Sequence, residues 1–277
     1  MTAESALDPS QMRSSAQLAL KRVRIEVQVF FRNRLAVFFT FLLPVMLTVI
    51  FGAVFTQKLR GPAGQSVSFR QYFVASMIAA TIFSLSFSSI AIGTAIEQNN
   101  GVVKRLAGTP LPRVSYVLGK LGQALVTATI ATILIIVIGV FGYGLRLPSD
   151  AGRWCVLLLV LVLGVVACTL AGLAFTRLIR DAQTAPAFVQ PVFLALLFIS
   201  GIFFEVSKMP AGLRDVASVF PLKWMAQALR YVFLPNWAAA DEPSRSWEIQ
   251  SAIGILVIWL VAMGAVAMRV FRWRRLD

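Results

Sequence analysis

Long uncharged stretches alternate with short polar ones along this chain. Six stretches lack Asp, Glu, Lys and Arg: Leu35–Phe55, Tyr72–Ile96, Leu121–Leu145, Trp154–Thr176, Ala182–Phe204 and Ile249–Met268. Each is close to the roughly 20 residues that a helix needs to cross a bilayer. The pattern predicts an all-α membrane protein with six transmembrane helices. The third helix has room to start near Val114, with Lys120 snorkelling or facing protein. Pro44, Pro186 and Pro191 lie in or beside these runs and predict kinks, the last two in one half of the fifth span.

Ahead of the first run, residues 16–34 change period. Leu20, Val23, Val27 and Phe30/Phe31 recur at spacings of three and four, while Lys21, Arg22, Arg24 and Arg32 fall elsewhere. This predicts a basic amphipathic helix lying in the membrane interface, with Arg22 and Glu26 as an i,i+4 pair. The chain therefore divides into an N-terminal part, 1–34, and a spanning domain, 35–277. The first long apolar run follows six bases, unlike a secretory signal peptide.

Two polar stretches interrupt the apolar pattern in an informative way. Glu97–Lys120 is an island holding one acid, four bases (Lys104, Arg105, Arg113, Lys120), a turn at Gly108–Pro110 and a second proline, Pro112. Between two spans, such an island must meet water or a soluble partner. The second stretch, Glu205–Glu248, carries Val216–Leu222 and Tyr231–Trp237, apolar pieces too short to cross, punctuated by Pro210, Pro221 and Pro235. They read either as re-entrant helices or as an amphipathic hairpin on the surface. Asp241 and Glu242 within it read as a solvated turn.

Composition sharpens the class. Hydrophobic residues make up 58% and charged residues 14%, against about 45–50% and 25% in soluble domains. The formal charge of +14 is clustered beside apolar runs, and no basic, aromatic-interleaved soluble segment exists to bind nucleic acid. Sixteen bases fall on the side of the termini and of the 97–120 island. The other side has five, with the long, locally neutral last loop set aside. Both termini and the island are thus expected in the cytoplasm. Gly164, Cys168 and Gly172 form a small-residue ladder that reads as packing inside the bundle or, alternatively, as a dimer seam. Cys155 and Cys168 lie too far apart on one helix to pair and read as packing residues.

Several chemistries are missing. The sequence has no phosphate-binding GxxxxGK[ST] loop, no HExxH and no GxSxG. No histidine is present to hold a metal or act as a base, and no two acids pair within a span, which argues against an ion relay. Energy for uphill transport would have to enter from another chain.

Two stretches resemble a known family. Glu97, Gly101, Leu106, Thr109 and Pro110, followed by Gly119-Lys120, match the E-x-x-x-G-T-x-x-x-L-x-x-T/S-P…G-K segment of ABC-2-type transporter permeases. Ser200-Gly201-Ile-Phe-Phe, Met209-Pro210, Pro221-Leu222 and Ala228-Leu229-Arg230 resemble that family's segment after the fifth span. The likeness covers nearly the whole length and in detail is similar to the drug-resistance branch. Val102 stands where the family carries Thr, and Asn99 where a second acid is common.

The resemblance implies a transport subunit rather than an enzyme. It further implies a bacterial inner-membrane location, pairing with a second permease chain, same or homologous, and two copies of an ATP-binding subunit. ATP and Mg2+ would be held by those subunits, with no cofactor on this chain. It also implies a coupling helix at about 97–111, with Glu97, Gly101, Lys104, Arg105, Leu106 and Pro110 meeting the ATPase. Re-entrant helices at about 205–235 would hold Gly201, Met209, Pro210, Pro221 and Arg230 near the exit. Residue chemistry agrees with this. Gly101 allows a tight turn, prolines stiffen the exit and Leu106 offers an apolar anchor, while Lys104 and Arg105 read equally as topology signals or partner contacts. Glu97 is expected to touch the partner or the N-terminal helix. An amphipathic drug or lipid-like cargo is the expected substrate. The alternatives are a cell-surface glycan or lipid-linked polymer and, in another class, a structural membrane subunit.

Overall fold

The computed structural model describes residues 15–109, 112–179 and 181–270, and it is mostly helical. Helix α1 (Ser15–Arg32) is separated from α2 (Arg34–Val54) by Asn33, whose side chain accepts from the Ala36 N–H and caps the new helix. A short antiparallel hairpin, β1 (Lys58–Arg60) with β2 (Ser66–Ser68), pairs Leu59 with Val67 and leads into α3 (Phe69–Phe83). Five residues of π-helix, Ser84–Ser88, join α3 to α4 (Ser89–Asn99) without a break. Then come α5 (Val102–Ala107), α6 (Arg113–Tyr143), α7 (Ala151–Phe175), α8 (Ala185–Ile199), α9 (Ala211–Val219), α10 (Pro221–Phe233) and α11 (Ile249–Val270).

Among the described residues, five helices are long and apolar enough to cross a membrane: α2, α3 through α4, α6, α7 and α11. The fifth uncharged run of the sequence yields less. Its helix, α8, has only 15 residues, about 22 Å at 1.5 Å per residue, short of a hydrocarbon core of about 30 Å. Its ends are local in origin. Pro186 sits in its first turn, and beyond Ser200 the chain reverses at Gly201, whose φ of +75° is left-handed. A Cβ there would lie 2.0 Å from Val206 Cγ2, so glycine is required.

The α3–α4 span is the central one, 89% buried in its most apolar window, whereas α2 and α11 are 17% buried and present Phe38, Phe39, Val257 and Ile258 outward. Beside it stands α10, of which every residue except Tyr231 is buried, packed on α3, α7 and α11. The small-residue ladder on α7 serves this packing. Gly164 meets Met225 of α10, and Gly172 meets the backbone of Phe87, where a Cβ would lie 2.7 Å from the carbonyl oxygen. Cys168 is buried between them, while Cys155 is exposed.

Helix α1 packs along the first half of α6. The contact is close because Gly119 and Gly122 lack side chains. A Cβ on Gly122 would fall 2.5 Å from Val23 Cγ1 and one on Gly119 2.7 Å from Arg22 Cγ. The buried face is therefore Ala19, Glu26 and the half-buried Arg22, Val23 and Phe30; Leu20 and Phe31, expected on the same stripe, are exposed. We expect Gly122→Leu to push α1 off α6. Hydrogen–deuterium exchange should then rise across 15–32 while remaining unchanged in α10.

Candidate functional site

At the end of the bundle where α4 stops, the chain makes the elbow that the polar island foretold. Asn100 and Gly101 turn the chain, Gly101 with φ +70°, and its carbonyl receives the Arg105 N–H as the first turn of α5. Helix α5 is amphipathic. Val103 and Leu106 are half-buried against the chain's own core, whereas Lys104 and Arg105 are exposed. Arg105 donates to the Asn100 carbonyl (3.1 Å), and Thr109 Oγ1 donates to that of Leu106 (2.7 Å), which closes the helix. Leu106, expected to point outward as an anchor, holds α5 down instead. Pro110 lies outside the described residues.

Glu97 does not reach into solvent beside these bases. Its Oε1 accepts from Lys120 Nζ (2.5 Å) and its Oε2 from Tyr116 Oη (2.8 Å), both on α6. Lys120 Nζ also donates to Glu26 Oε2 on α1 (2.9 Å), and Glu26 in turn pairs with Arg22 one turn earlier. The side chains of Lys120 and Glu26 are each 4% exposed. Arg22 and Lys120 both lie 5.5 Å from the Tyr116 ring centroid. Two bases and two acids thus form a neutral, largely buried cluster that ties α1, α4 and α6 together, with Glu97 one helical turn before the elbow into α5. Lys120 faces protein, as one of its two expected placements required. The part played by Glu26 and Tyr116 was missed; the signal was Glu26 standing as the sole acid among the bases of residues 16–34.

A second polar cluster lies toward the other end. Arg230, fully buried on α10, pairs with Glu242 (Nε to Oε1, 2.7 Å) and donates through Nη1 to Ser76 Oγ (3.2 Å) and the Gly201 carbonyl (3.3 Å). That carbonyl also accepts from Tyr72 Oη (3.1 Å), and the guanidinium lies over the Tyr72 ring at 4.7 Å. One turn away, Gln227 donates to the carbonyls of Ser246 and Trp247 and to Glu248. This corrects one expectation. Glu242 is 3% exposed rather than solvated, and it joins a cluster that includes Ser76 and Tyr72 of the α3 span helix. The residues after α10 fold back on it and bury an acid that is local to a loop in sequence. Gly201 and Arg230 are thus brought together. Met209 and Pro210 build the turn into α9, half-buried and exposed respectively, and Pro221 opens α10 in its buried first turn.

The α9–α10 junction turns at Val219–Pro221. There the Trp259 indole N–H, near the midpoint of α11, donates to the Val219 carbonyl (2.7 Å). The pair of helices therefore descends to the middle of α11 and returns.

A family model described as ABC-2 type transporter matches residues 20–234. The chain belongs to the ABC-2 type transporter family. Among its relatives is the inner membrane transport permease YadH of Escherichia coli, 24% identical over 220 residues, covering 77% of this chain and 78% of that protein. The probable multidrug ABC transporter permeases YbhR and YbhS of the same organism are also similar. YbhR is 22% identical over 75% of this chain and 54% of its own length, YbhS 24% over 59% and 43%. The matched segment of this ABC-2 chain contains the elbow, the Glu26–Lys120–Glu97 cluster and all of α10.

The Arg230–Glu242 bridge gives a direct prediction. Arg230→Met leaves a buried carboxylate alone and should cost about 3–5 kcal/mol. The double variant Arg230→Met/Glu242→Leu should recover most of that loss. Thermal unfolding in detergent micelles reads both.

Proposed function

We propose that this chain is the membrane subunit of an ATP-driven exporter. In this reading separate ATP-binding subunits, two per assembly, carry ATP and Mg2+ and dock on α5, and a second permease chain completes the path. The observation that carries the reading is the mounting of α5. A six-residue helix presents two exposed bases, Lys104 and Arg105, to a partner, and α4, α6 and α1 beside it are joined by ion pairs through the buried Lys120. A push on α5 then moves three helices as one body instead of being lost in a flexible loop.

Further features support the rest of the reading. The excess of bases on the side of α5 favours a cytoplasmic location for it and for both termini. With α8 as a short sixth span, 35–277 is the spanning domain. Helix α1, basic outside and apolar along its flanks, suits the interface. Helix α10, buried against α3, α7 and α11, suits the returning limb of a re-entrant element, while α9 keeps only Ala217 buried and turns Leu213, Val216 and Val219 outward. Glu97 acts inside the chain as the link between α4 and α6, while Lys104 and Arg105 meet the partner. The naming of two relatives as probable multidrug permeases favours an amphipathic drug or lipid-like cargo over a glycan polymer.

Co-expression with the ATP-binding subunit separates the roles. Lys104→Glu/Arg105→Glu should abolish co-purification of the two chains. Glu97→Ala should preserve co-purification but lower cargo-stimulated ATP turnover in lipid at least tenfold, the equivalent of about 1.4 kcal/mol. Co-purification undiminished by the charge reversal would rule out docking on α5. Leu106→Asp is a poorer probe, because Leu106 packs against this chain's own core.

A further inference from the structure

An apolar groove of about 320 Å³ opens between α7, α8 and α11, below the α9–α10 turn. This volume falls in the range of small-ligand sites, about 300–1,000 Å³. Its walls are aromatic. Phe87 stacks on Phe83 and meets Phe175 edge-on, and across the groove Phe220 packs on Trp259. Ala171 and Ala174 keep the α7 side open. No lining residue carries a charge or a hydroxyl, and the indole N–H of Trp259 is already given to Val219. A polar ligand would find no partner there.

The ends of the groove's helices supply what its walls lack. Helices α7 and α11 start at the same end of the bundle: Arg153 of α7 lies over the Tyr231 ring, which packs against Trp247 just before α11. Gly264 of α11 sits against Leu170 of α7. Running on from that level, the two helices end near Arg177 and Arg269, both exposed and neither in an ion pair among the described residues. Leu178, which lines the groove, adjoins Arg177 in sequence, and Met263, on the α11 wall, lies six residues before Arg269, about 9 Å along the helix. Asp181 is the acid on the same turn. An apolar slot within the span helices thus lies before two helix ends that each carry an exposed arginine.

In a bilayer the surrounding solvent is acyl chain, and an open slot of this size is filled by it, because unfilled space forfeits dispersion contacts along every wall. We propose that the groove binds one acyl chain of an anionic membrane phospholipid, with its headgroup phosphate held between Arg177 and Arg269. The inference goes beyond the export reading and does not depend on it, since it concerns this chain alone in a membrane.

The test is photolabelling of the full chain, without any ATP-binding subunit, in phosphatidylcholine vesicles doped with phosphatidylglycerol bearing a diazirine in its acyl chain. Adducts are mapped by mass spectrometry. Labelling of 171–178 and 259–263 should exceed that of Phe38 and Phe39, which face outward on α2. Ala174→Leu should remove the groove adducts while those on α2 persist, which shows that the protein remains embedded. Arg177→Gln lies on an exposed turn outside the packing and should weaken groove labelling roughly fivefold, the worth of one base beside an anionic headgroup. Groove labelling no stronger than that of α2, or equally strong with a phosphatidylcholine probe, would overturn the proposal.

Discussion

One ammonium group between two carboxylates sets the architecture at the α5 end. Lys120 Nζ is bonded to Glu26 and Glu97 at once, in a place that water barely reaches. With Arg22 the four charges sum to zero, so the cluster can be buried, but removal of any one member leaves an uncompensated charge in a low-dielectric site. Much of the local structure follows. Helix α1 must lie close enough to α6 for Glu26 to reach, which explains Gly119 and Gly122. Helix α4 must bring Glu97 to α6 within its last turn, before the elbow at Asn100–Gly101 begins. Helix α5 therefore stands on a rigid base.

The opposite half of the molecule repeats the device with different parts. Arg230 is enclosed by Glu242, Ser76, Tyr72 and the Gly201 carbonyl, and it joins α10, α3, the turn after α8 and the segment before α11. Its Nη2 and the Oε2 of Glu242 have no partner among the described residues, so the bridge contributes little net stability. It specifies a single arrangement instead. Between these two clusters the core is held by apolar packing, with α3 and α10 at its centre. Helices joined by packing alone can slide, whereas those joined by buried ions move together. The division implies rigid ends and a more adaptable middle, where the π-helical turn at Ser84–Ser88 also lies.

Much of this was legible in the sequence because it is local. The uncharged runs marked every span-length helix, the period change marked α1, and Gly101 marked a tight turn. The segment around Gly201 and Arg230 was recognised as one unit, and the structure joins them directly. What escaped was set by distance or by burial. Glu26 and Lys120 are 94 positions apart, and no periodicity reveals such a pairing. Glu242 is only 12 positions from Arg230, yet its burial depends on a loop folding back over α10. The shortness of α8 was hidden because Gly201 ends the helix inside a run that stays apolar to Phe204. The β1–β2 hairpin is three residues on each side, too brief for any alternation to declare it.

The central claim is that α1, α4 and α6 move as one body through the buried ions. It is tested most directly by the distance between spin labels at Gln28 on α1 and Gln98 on α4, both exposed. The labels would be placed in a background with Cys155 and Cys168 replaced by alanine, and the pair measured by pulsed electron resonance with the proposed ATP-binding subunit present. The account predicts one narrow distance, unchanged between nucleotide-free and ATP-bound states, that broadens when Lys120 is replaced by methionine. A distance that shifts with ATP, or that is indifferent to Lys120→Met, would contradict it.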